Sequence, residues 1–266
     1  MSLRALVWDV DGTLAETERD GHRIAFNHAF EDEGLPWYWD VDCYGALLKV
    51  TGGKERLQHW WRSVDAAAAD RPGARELVQR LHERKTAHYA ELVRAGVVTL
   101  RPGVRRLLTE ARQRGLVLAI ATTTTEANVR ELLCATLGDA APGWFEVIGA
   151  GDVVPRKKPA PDIYRWVLER LRLPAAHGLA IEDSAVGAAA ARAAGMPVLL
   201  TRSLYTAGDA AGPVLADLDS LGSHQQPARG RVGGLAWRGM VGVDTLRRWH
   251  AASLCHDADH SVRSSP

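Results

Sequence analysis

Five short apolar runs, with helical stretches between them, constrain the fold of this chain more than any other feature of its sequence. The runs are Arg4–Trp8, Leu116–Ala121, Phe145–Ile148, Leu179–Ile181 and Val198–Leu200. An apolar run of this length, bounded by turn residues, is typical of a parallel strand that is buried on both faces. Strands that alternate with helices predict an α/β fold with a doubly wound parallel sheet.

Helical spacing of apolar residues is clearest in three segments of the chain. Asp162–Leu171 has this spacing, and Val104–Arg114 ends directly before Gly115, a usual helix stop. Glu76–Leu92 is the third segment, with Leu77 and Leu81 among its apolar positions. These segments predict one helix each.

Residues 17–99 interrupt the alternation, because they read as consecutive helices with no convincing strand. We therefore expect a helical cap domain at 17–99, inserted into an α/β core made of residues 1–16 and 100–221. Residues 222–266 are expected to form a C-terminal extension that is partly irregular. Within it, SHQQPARGRVGG is rich in Pro, Gly, Gln and Arg and is interpreted as an exposed linker.

Composition excludes few classes of protein but favours a small-molecule partner. The chain has 266 residues, with 33 basic and 32 acidic side chains, so its charge supports neither a nucleic acid nor a membrane as a partner. No apolar run approaches the roughly 20 residues that a membrane-spanning helix needs. Three cysteines without CxxC spacing and no apolar leader predict a cytoplasmic protein. The oligomeric state stays open, and we favour a monomer.

Polar side chains follow the apolar runs at the point where each predicted strand ends. In an open α/β sheet, ligands bind outside the carboxyl ends of the strands, so we expect these side chains to meet at one edge. They are Asp9 and Asp11 after the first run, Thr122, Thr123 and Thr124 after the second, Lys158 in the loop after the third, and Glu182 and Asp183 after the fourth.

These residue types suit the transfer of a phosphoryl group. Asp9 can attack phosphorus, and Asp11, two residues later and on the same side, can protonate the leaving oxygen and then activate water. Magnesium prefers carboxylates, a backbone carbonyl and water, which Asp9, the main-chain carbonyl of Asp11 and Asp183 can supply. Glu182 is either a further ligand or a support for the others.

Two further side chains can stabilise charge on the transferred group. Thr122 can donate a hydrogen bond to a phosphoryl oxygen, and Lys158 can neutralise charge on the same group. We also place Thr123, Thr124 and Asn128 in the substrate site. Any one of these positions alone is as easily a turn, cap or strand-end residue, and their joint occurrence carries the prediction.

Four motifs of this chain resemble those of the haloacid dehalogenase-like hydrolases. They are DVDGT, the strand-ending Thr122, KKPAPDIY and IEDSAVGAAAARAAG, and the insertion after the first strand resembles the subclass with a four-helix cap. Within it, ETERDGHRIAFN, WYWD and TGGKERL resemble the CbbY group of the Calvin cycle, over residues 3–221. Members of that group remove phosphate from xylulose-1,5-bisphosphate, a Rubisco inhibitor.

The resemblance implies the same site as the chemistry of the residues. It implies Asp9 as nucleophile, Asp11 as acid and base, Thr122 and Lys158 as phosphoryl ligands, and Mg²⁺ bound by Asp9, Asp11 and Asp183. It also implies a phosphorylated sugar as substrate.

A bisphosphate needs a second anion site, and the cap contains a candidate. Thr51, Gly52, Gly53, Lys54 and Arg56 offer backbone N–H groups and two cations at one turn, although an ordinary interhelical turn would look similar. Other cap residues that could line the substrate, or equally belong to exposed helices, are Glu18, His22, His82, Arg84 and Lys85.

Four alternative functions compete with this interpretation. Hydrolytic dehalogenation does not need an acid at Asp11, which argues against it. A phosphomutase of the β-phosphoglucomutase kind and a broad sugar-monophosphate phosphatase share these residues and stay open. A binding protein that has lost its chemistry is unlikely to retain all of Asp9, Asp11, Lys158 and Asp183, so we expect an enzyme.

Overall fold

A central β-sheet organises the protein, whose computed structural model describes residues 2–50 and 52–262. Its strands are β1 (Ala5–Trp8), β2 (Val117–Ala121), β3 (Val147–Gly149), β4 (Gly178–Glu182), β5 (Val198–Thr201), β6 (Ala216–Leu218), β7 (Ala228–Val232) and β8 (Leu235–Gly239). Their spatial order is β3-β2-β1-β4-β5-β6-β7-β8. The strands β1 to β6 pair in parallel, and β7 and β8 pair antiparallel. All five predicted strands are present.

Helices connect the parallel strands and fill the insertion between β1 and β2. They are α1 (Arg23–Asp32), which follows a π-helical turn at Glu18–His22, α2 (Val41–Leu47), α3 (Gly53–Val64), α4 (Ala66–Ala69), α5 (Ala74–Arg94), α6 (Val104–Gln113), α7 (Glu126–Leu137), α8 (Asp162–Leu171), α9 (Ala185–Ala193) and α10 (Val243–Val262). The three predicted helices correspond to α5, α6 and α8. The doubly wound α/β fold is confirmed.

Both faces are buried in the central parallel part of the sheet, which explains why β1, β4 and β5 are apolar with little alternation. Leu6 and Trp8 of β1 pack on one face with residues of α6, α7 and α10. Val7, between them, packs on the opposite face with residues of α8 and α9. Successive side chains of a strand point to opposite faces, so each position of β1 needs an apolar residue.

The inserted helices have an apolar core of their own, and we place this cap domain at residues 17–99. Its core is rich in aromatic side chains, and the rings of Phe26 and Trp39 have centroids 4.8 Å apart. The two segments that connect the cap with the core meet in a bridge between Ala15 and Leu100. The cap is therefore attached to the core through two adjacent segments of the chain.

The C-terminal extension is more regular than the sequence predicted. The prediction of an exposed linker at SHQQPARGRVGG is wrong for Ala228–Val232, because these residues form β7 and pair with β6. Backbone hydrogen bonds to the open edge of β6 hold this short segment, which includes a glycine and two exposed arginines, and side-chain patterns do not reveal such pairing. Helix α10 then packs on the core, with Trp249 against Trp237 of β8 at a centroid distance of 5.1 Å. Across the described residues, we find no helix with the length and apolar character needed to span a membrane.

Candidate active site

Three acidic side chains meet at the carboxyl ends of β1 and β4. Asp9 directly follows β1, Glu182 ends β4, and Asp183 comes next. One carboxylate oxygen from each lies within 4.8 Å of the other two, and all three residues are buried. Parallel pairing of β1 with β4, Trp8 opposite Ile181, produces this convergence.

Lys158 lies between two of these carboxylates. Its Nζ is 2.7 Å from Oδ1 of Asp9 and 2.6 Å from Oε1 of Glu182, and Tyr164 donates its hydroxyl to the same Glu182 oxygen at 2.5 Å. Burial opposes the charge of Lys158, but the two carboxylates outweigh it and raise the pKa of the ammonium. Lys158 is therefore a fixed positive charge beside Asp9.

One lysine does not balance three buried carboxylates. Burial raises the pKa of Asp9 well above its usual value, against the attraction of Lys158 and together with repulsion from Glu182 and Asp183. Burial, with the charge of Glu182, likewise raises the pKa of Asp183 to about 7. A cluster of oxygen donors with surplus negative charge suits a hard divalent cation.

Two glycines let the backbone approach these carboxylates closely. Gly12 has a φ of +79°, and a Cβ there would lie 2.2 Å from Oδ2 of Asp183. At Gly187, in the first turn of α9, a Cβ would lie 2.0 Å from Oε2 of Glu182. A side chain at either position would displace the carboxylate.

The Asp11 carboxylate points toward the cap, away from the acidic cluster. Its Oδ1 accepts a hydrogen bond from the Thr17 hydroxyl at 2.5 Å and lies 3.1 Å from Nε2 of His22. Burial favours the neutral acid, but His22, Thr17 and the charge of Lys85 outweigh it and lower the pKa of Asp11. Asp9 and Asp11 therefore have opposite pKa shifts, with burial and neighbouring carboxylates favouring the neutral form of Asp9 and the partners of Asp11 favouring its ionised form.

The polar residues after β2 line the neighbouring part of this edge. Thr122 is buried, and its Oγ1 accepts the N–H of Thr124 at 3.2 Å. Asn128 donates from Nδ2 to Oγ1 of Thr124 at 3.4 Å, and Thr123 lines the cavity above the acidic cluster. Of these four residues, Thr123 alone is part of the cavity lining, and Asn128 supports the loop.

This cavity, of about 380 Å³, lies between core and cap. From the cap, Glu18, Gly52 and Arg56 line it. The Tyr44 hydroxyl donates to Oε2 of Glu18 at 2.5 Å, and Nη1 of Arg56 donates to the Tyr44 oxygen at 2.7 Å. These contacts hold Glu18 and Arg56 as an ordered polar roof over the acidic cluster.

The other predicted cap residues lie around this roof. His22 stacks on Tyr89 at a centroid distance of 4.2 Å, and Lys85 is buried over the same ring. Burial lowers the pKa of Lys85 to about 8, and it lowers that of His82 to about 4, where nearby lysines add to the effect. The His82 ring lies against the backbone of Gly53, Lys54 is exposed, and Thr51 lies outside the described residues.

Arg84 does not contribute to the cavity, contrary to the sequence prediction. Its Nε donates to Oε1 of Glu33 at 2.6 Å, and its Nη1 lies 3.4 Å from Oδ2 of Asp32. Both carboxylates lie at the end of α1, on the outer surface of the cap. These ion pairs hold the guanidinium away from the substrate side.

Comparison with known proteins identifies the family. The model of the haloacid dehalogenase-like hydrolase family matches residues 3–195, which is more than half of the chain. This chain belongs to the haloacid dehalogenase-like hydrolases. Similarity to proteins of that family identifies this chain as a phosphatase.

Several similar proteins bear the name CbbY. The plasmid-encoded CbbY of Cupriavidus necator is 49% identical over 95% of this hydrolase and 98% of the relative. CbbY of Rhodobacter capsulatus is 51% identical over 79% and 89% of the two chains. The first of these alignments leaves about 5% of the hydrolase unmatched, so this likeness extends into residues 222–266.

Solved structures give the same result. CbbY from Rhodobacter sphaeroides in complex with phosphate is 41% identical, with a TM-score of 0.76 over 82% of the hydrolase and 94% of that chain. A mutant of that protein in complex with xylulose-(1,5)bisphosphate matches equally well.

Sequence reasoning missed Arg101, the most connected residue near the site of this hydrolase. Its guanidinium is buried and donates to the main-chain carbonyls of Gly12, Thr201, Arg202 and Asp219. Its Nε lies 3.1 Å from Oε1 of Glu16. Arg101 thereby joins the loop after β1 to the loops after β5 and β6. A lone arginine after the insertion carries no pattern that would reveal this role.

Proposed function

We propose that this phosphatase is magnesium-dependent, acts through a phosphorylated Asp9 and uses xylulose-1,5-bisphosphate as its substrate. The observation that carries the proposal is the placement of Asp9 beside Lys158, in a buried acidic cluster that faces a cavity roofed by Glu18 and Arg56. Similarity to a CbbY protein that was solved with this bisphosphate supports the choice of substrate.

Asp9 is oriented for attack on phosphorus. Lys158 donates to its Oδ1 at 2.7 Å, and the Thr13 hydroxyl donates to its Oδ2 at 3.2 Å. In the first step, a carboxylate oxygen of Asp9 bonds to phosphorus as the bond from phosphorus to the sugar oxygen breaks. Lys158 and Thr122 stabilise the phosphoryl oxygens, whose charge rises in the transition state.

Asp11 transfers protons in both steps. Because Nε2 of His22 lies 3.1 Å from Oδ1 of Asp11, a proton held by this pair is available to the departing sugar oxygen. In the second step, the Asp11 carboxylate takes a proton from water, whose oxygen attacks phosphorus. The bond from phosphorus to Asp9 then breaks and inorganic phosphate leaves.

The donor set fits a magnesium ion. Asp9, Asp183 and the main-chain carbonyl of Asp11 would hold it, with Glu182 as a ligand or support, and the ion would neutralise charge on the phosphoryl oxygens. The close approach of Gly12 to Asp183 keeps that carboxylate at the cluster.

Metal binding is expected to raise thermal stability as well as activity. Millimolar Mg²⁺ should raise the melting temperature of the wild type, because it relieves repulsion among three buried carboxylates and binds only the folded site. Asp183→Asn removes one donor and should lose most of this shift. The measurement is differential scanning fluorimetry with and without EDTA, and an equal Mg²⁺ shift in both proteins would contradict this metal site.

The cap residues define the proposed substrate site. Arg56 and Gly52 line the cavity from the cap, and we place a distal phosphate beside them. Lys54 is exposed beside this turn and Thr51 belongs to the same proposed group. Glu18 offers a carboxylate to sugar hydroxyls.

A substrate panel tests the function directly. We expect phosphate release with Mg²⁺ from xylulose-1,5-bisphosphate to exceed that from ribulose-1,5-bisphosphate, β-glucose-1-phosphate and other sugar monophosphates in kcat/KM. Equal or faster release from unrelated monophosphates would make the protein a broad sugar phosphatase. Formation of glucose-6-phosphate without phosphate release would instead show a phosphomutase.

A further inference from the structure

A second polar groove lies outside the active-site cavity, where the C-terminal hairpin meets the segments that join cap and core. It has a volume of about 710 Å³. One wall contains Glu16 and Arg19 of the first connecting segment and Thr99 of the second. The lining also contains Arg229 of β7 and Arg238 of β8.

Arg229 and Arg238 are direct cross-strand partners in the hairpin. Residues paired in this way lie on the same face of a sheet with their Cβ atoms about 5 Å apart, and like charges there are destabilising. Among the residues that the structure describes, neither guanidinium has a hydrogen-bond or ion-pair partner. Two unpaired cations therefore face one groove.

The acidic residues that line the groove are already engaged. Asp20 forms a two-point ion pair with Arg19, with N–O distances of 2.6 and 2.7 Å. Glu16 pairs with Arg101, as described above.

The remaining lining carboxylate and the remaining lining arginine are also occupied. Asp219 accepts the main-chain N–H of Arg229 at 2.9 Å and the Ser220 hydroxyl at 3.2 Å through Oδ1. Arg202 forms a two-point pair with Asp217. These hydrogen bonds come from neutral groups, so among the described residues the lining charges without an ion-pair partner are those of Asp219, Arg229 and Arg238, with one positive charge in excess.

We propose that this groove is a binding site for a small dianion of the phosphate class, either inorganic phosphate or a phosphate ester. Two guanidinium groups on neighbouring strands match the charge of a phosphate and can each donate two parallel hydrogen bonds to it. Gln225 and Gln226 at the rim add amide donors. A ligand here would touch both segments that connect the cap with the core, in a groove that shares Ser203 with the active-site cavity.

The test is calorimetric titration of the Mg²⁺-loaded protein with inorganic phosphate. We expect two sites per chain in the wild type, one of them the active site, and we expect the R229Q/R238Q double variant to keep one. Since each charge-assisted contact contributes about 1.5–3 kcal/mol, the affinity of the lost site should fall at least about tenfold. If the proposed function fails instead, the wild type should bind one phosphate and the double variant none.

Arg231→Gln is the matched control for the substitution at Arg229, because it removes one positive charge from the same face of β7. Arg231 donates from Nε to the carbonyl of Gly234 at 3.0 Å and does not line the groove. The Arg231→Gln variant should still bind phosphate at both sites. An equal effect of this control and the double variant would overturn the proposal, and so would unchanged binding in the double variant. If binding is unchanged in the double variant, the role left for Arg238 is to keep the exposed edge strand β8 from pairing with another chain.

Discussion

Asp9→Asn is expected to lower phosphate release by roughly 10⁴-fold or more, because an amide oxygen cannot form the covalent intermediate. The variant should fold normally. Asparagine has the same shape, and its oxygen can still accept the hydrogen bond from Lys158. It also removes one of three buried negative charges, so the melting temperature without Mg²⁺ should be equal to or above that of the wild type. Initial rates of phosphate release and a thermal melt measure the two effects.

Asp244→Asn provides the control for this substitution. Asp244 lies in the first turn of α10, with its side chain 65% exposed, and pairs with Arg114 far from the acidic cluster. Its activity should equal that of the wild type. Turnover near the wild-type rate in Asp9→Asn would show that another residue is the nucleophile.

Lys158→Met is expected to reduce both activity and stability. The substitution leaves Asp9, Glu182 and Asp183 buried without the ammonium that now contacts two of them. Removing one partner of a buried charge pair costs about 3–5 kcal/mol of unfolding free energy. Mg²⁺ should restore part of this stability but not the rate, because the phosphoryl oxygens still lack the lysine.

Lys157→Met is the control, because it removes a neighbouring lysine of the same loop. Lys157 pairs with Asp152, whose side chain is 98% exposed, and such surface pairs contribute about 0–1 kcal/mol. Urea unfolding of both variants, with and without Mg²⁺, measures the difference. Equal free energies of unfolding for the two variants would contradict the role of Lys158 as the counter-charge of the cluster.

Much of the core could be predicted because its strands are buried on both faces. Such strands must be apolar at every position, so the run Ala5–Trp8 stands out without any knowledge of its neighbours. The helix α8 was predicted with its observed bounds, because its buried residues recur at helical spacing. Strand β6 was missed, since Ala216–Leu218 has three residues and a partly exposed aspartate at its centre.

The meeting of the site residues at one edge of the sheet could also be predicted from the sequence. Parallel strands all end at the same edge, so residues that directly follow β1 and β4 must lie close together. This placed Asp9 beside Asp183. The partners of Asp11 were less accessible, because Thr17 and His22 lie in the π-helical turn region, whose geometry no spacing rule indicated.

The sequence by itself determined the α/β class, the helical insertion and the residues that carry the chemistry, because these depend on local periodicity and on the order of strands. Only the tertiary structure showed that Lys158 contacts two carboxylates and that Arg101 donates hydrogen bonds to four main-chain carbonyls. It also showed that Arg84 pairs with carboxylates away from the cavity. It also converted an expected linker into the hairpin that places Arg229 beside Arg238. Apart from the hairpin pair, these contacts join residues far apart in the chain, and their geometry depends on packing that no short stretch of sequence contains.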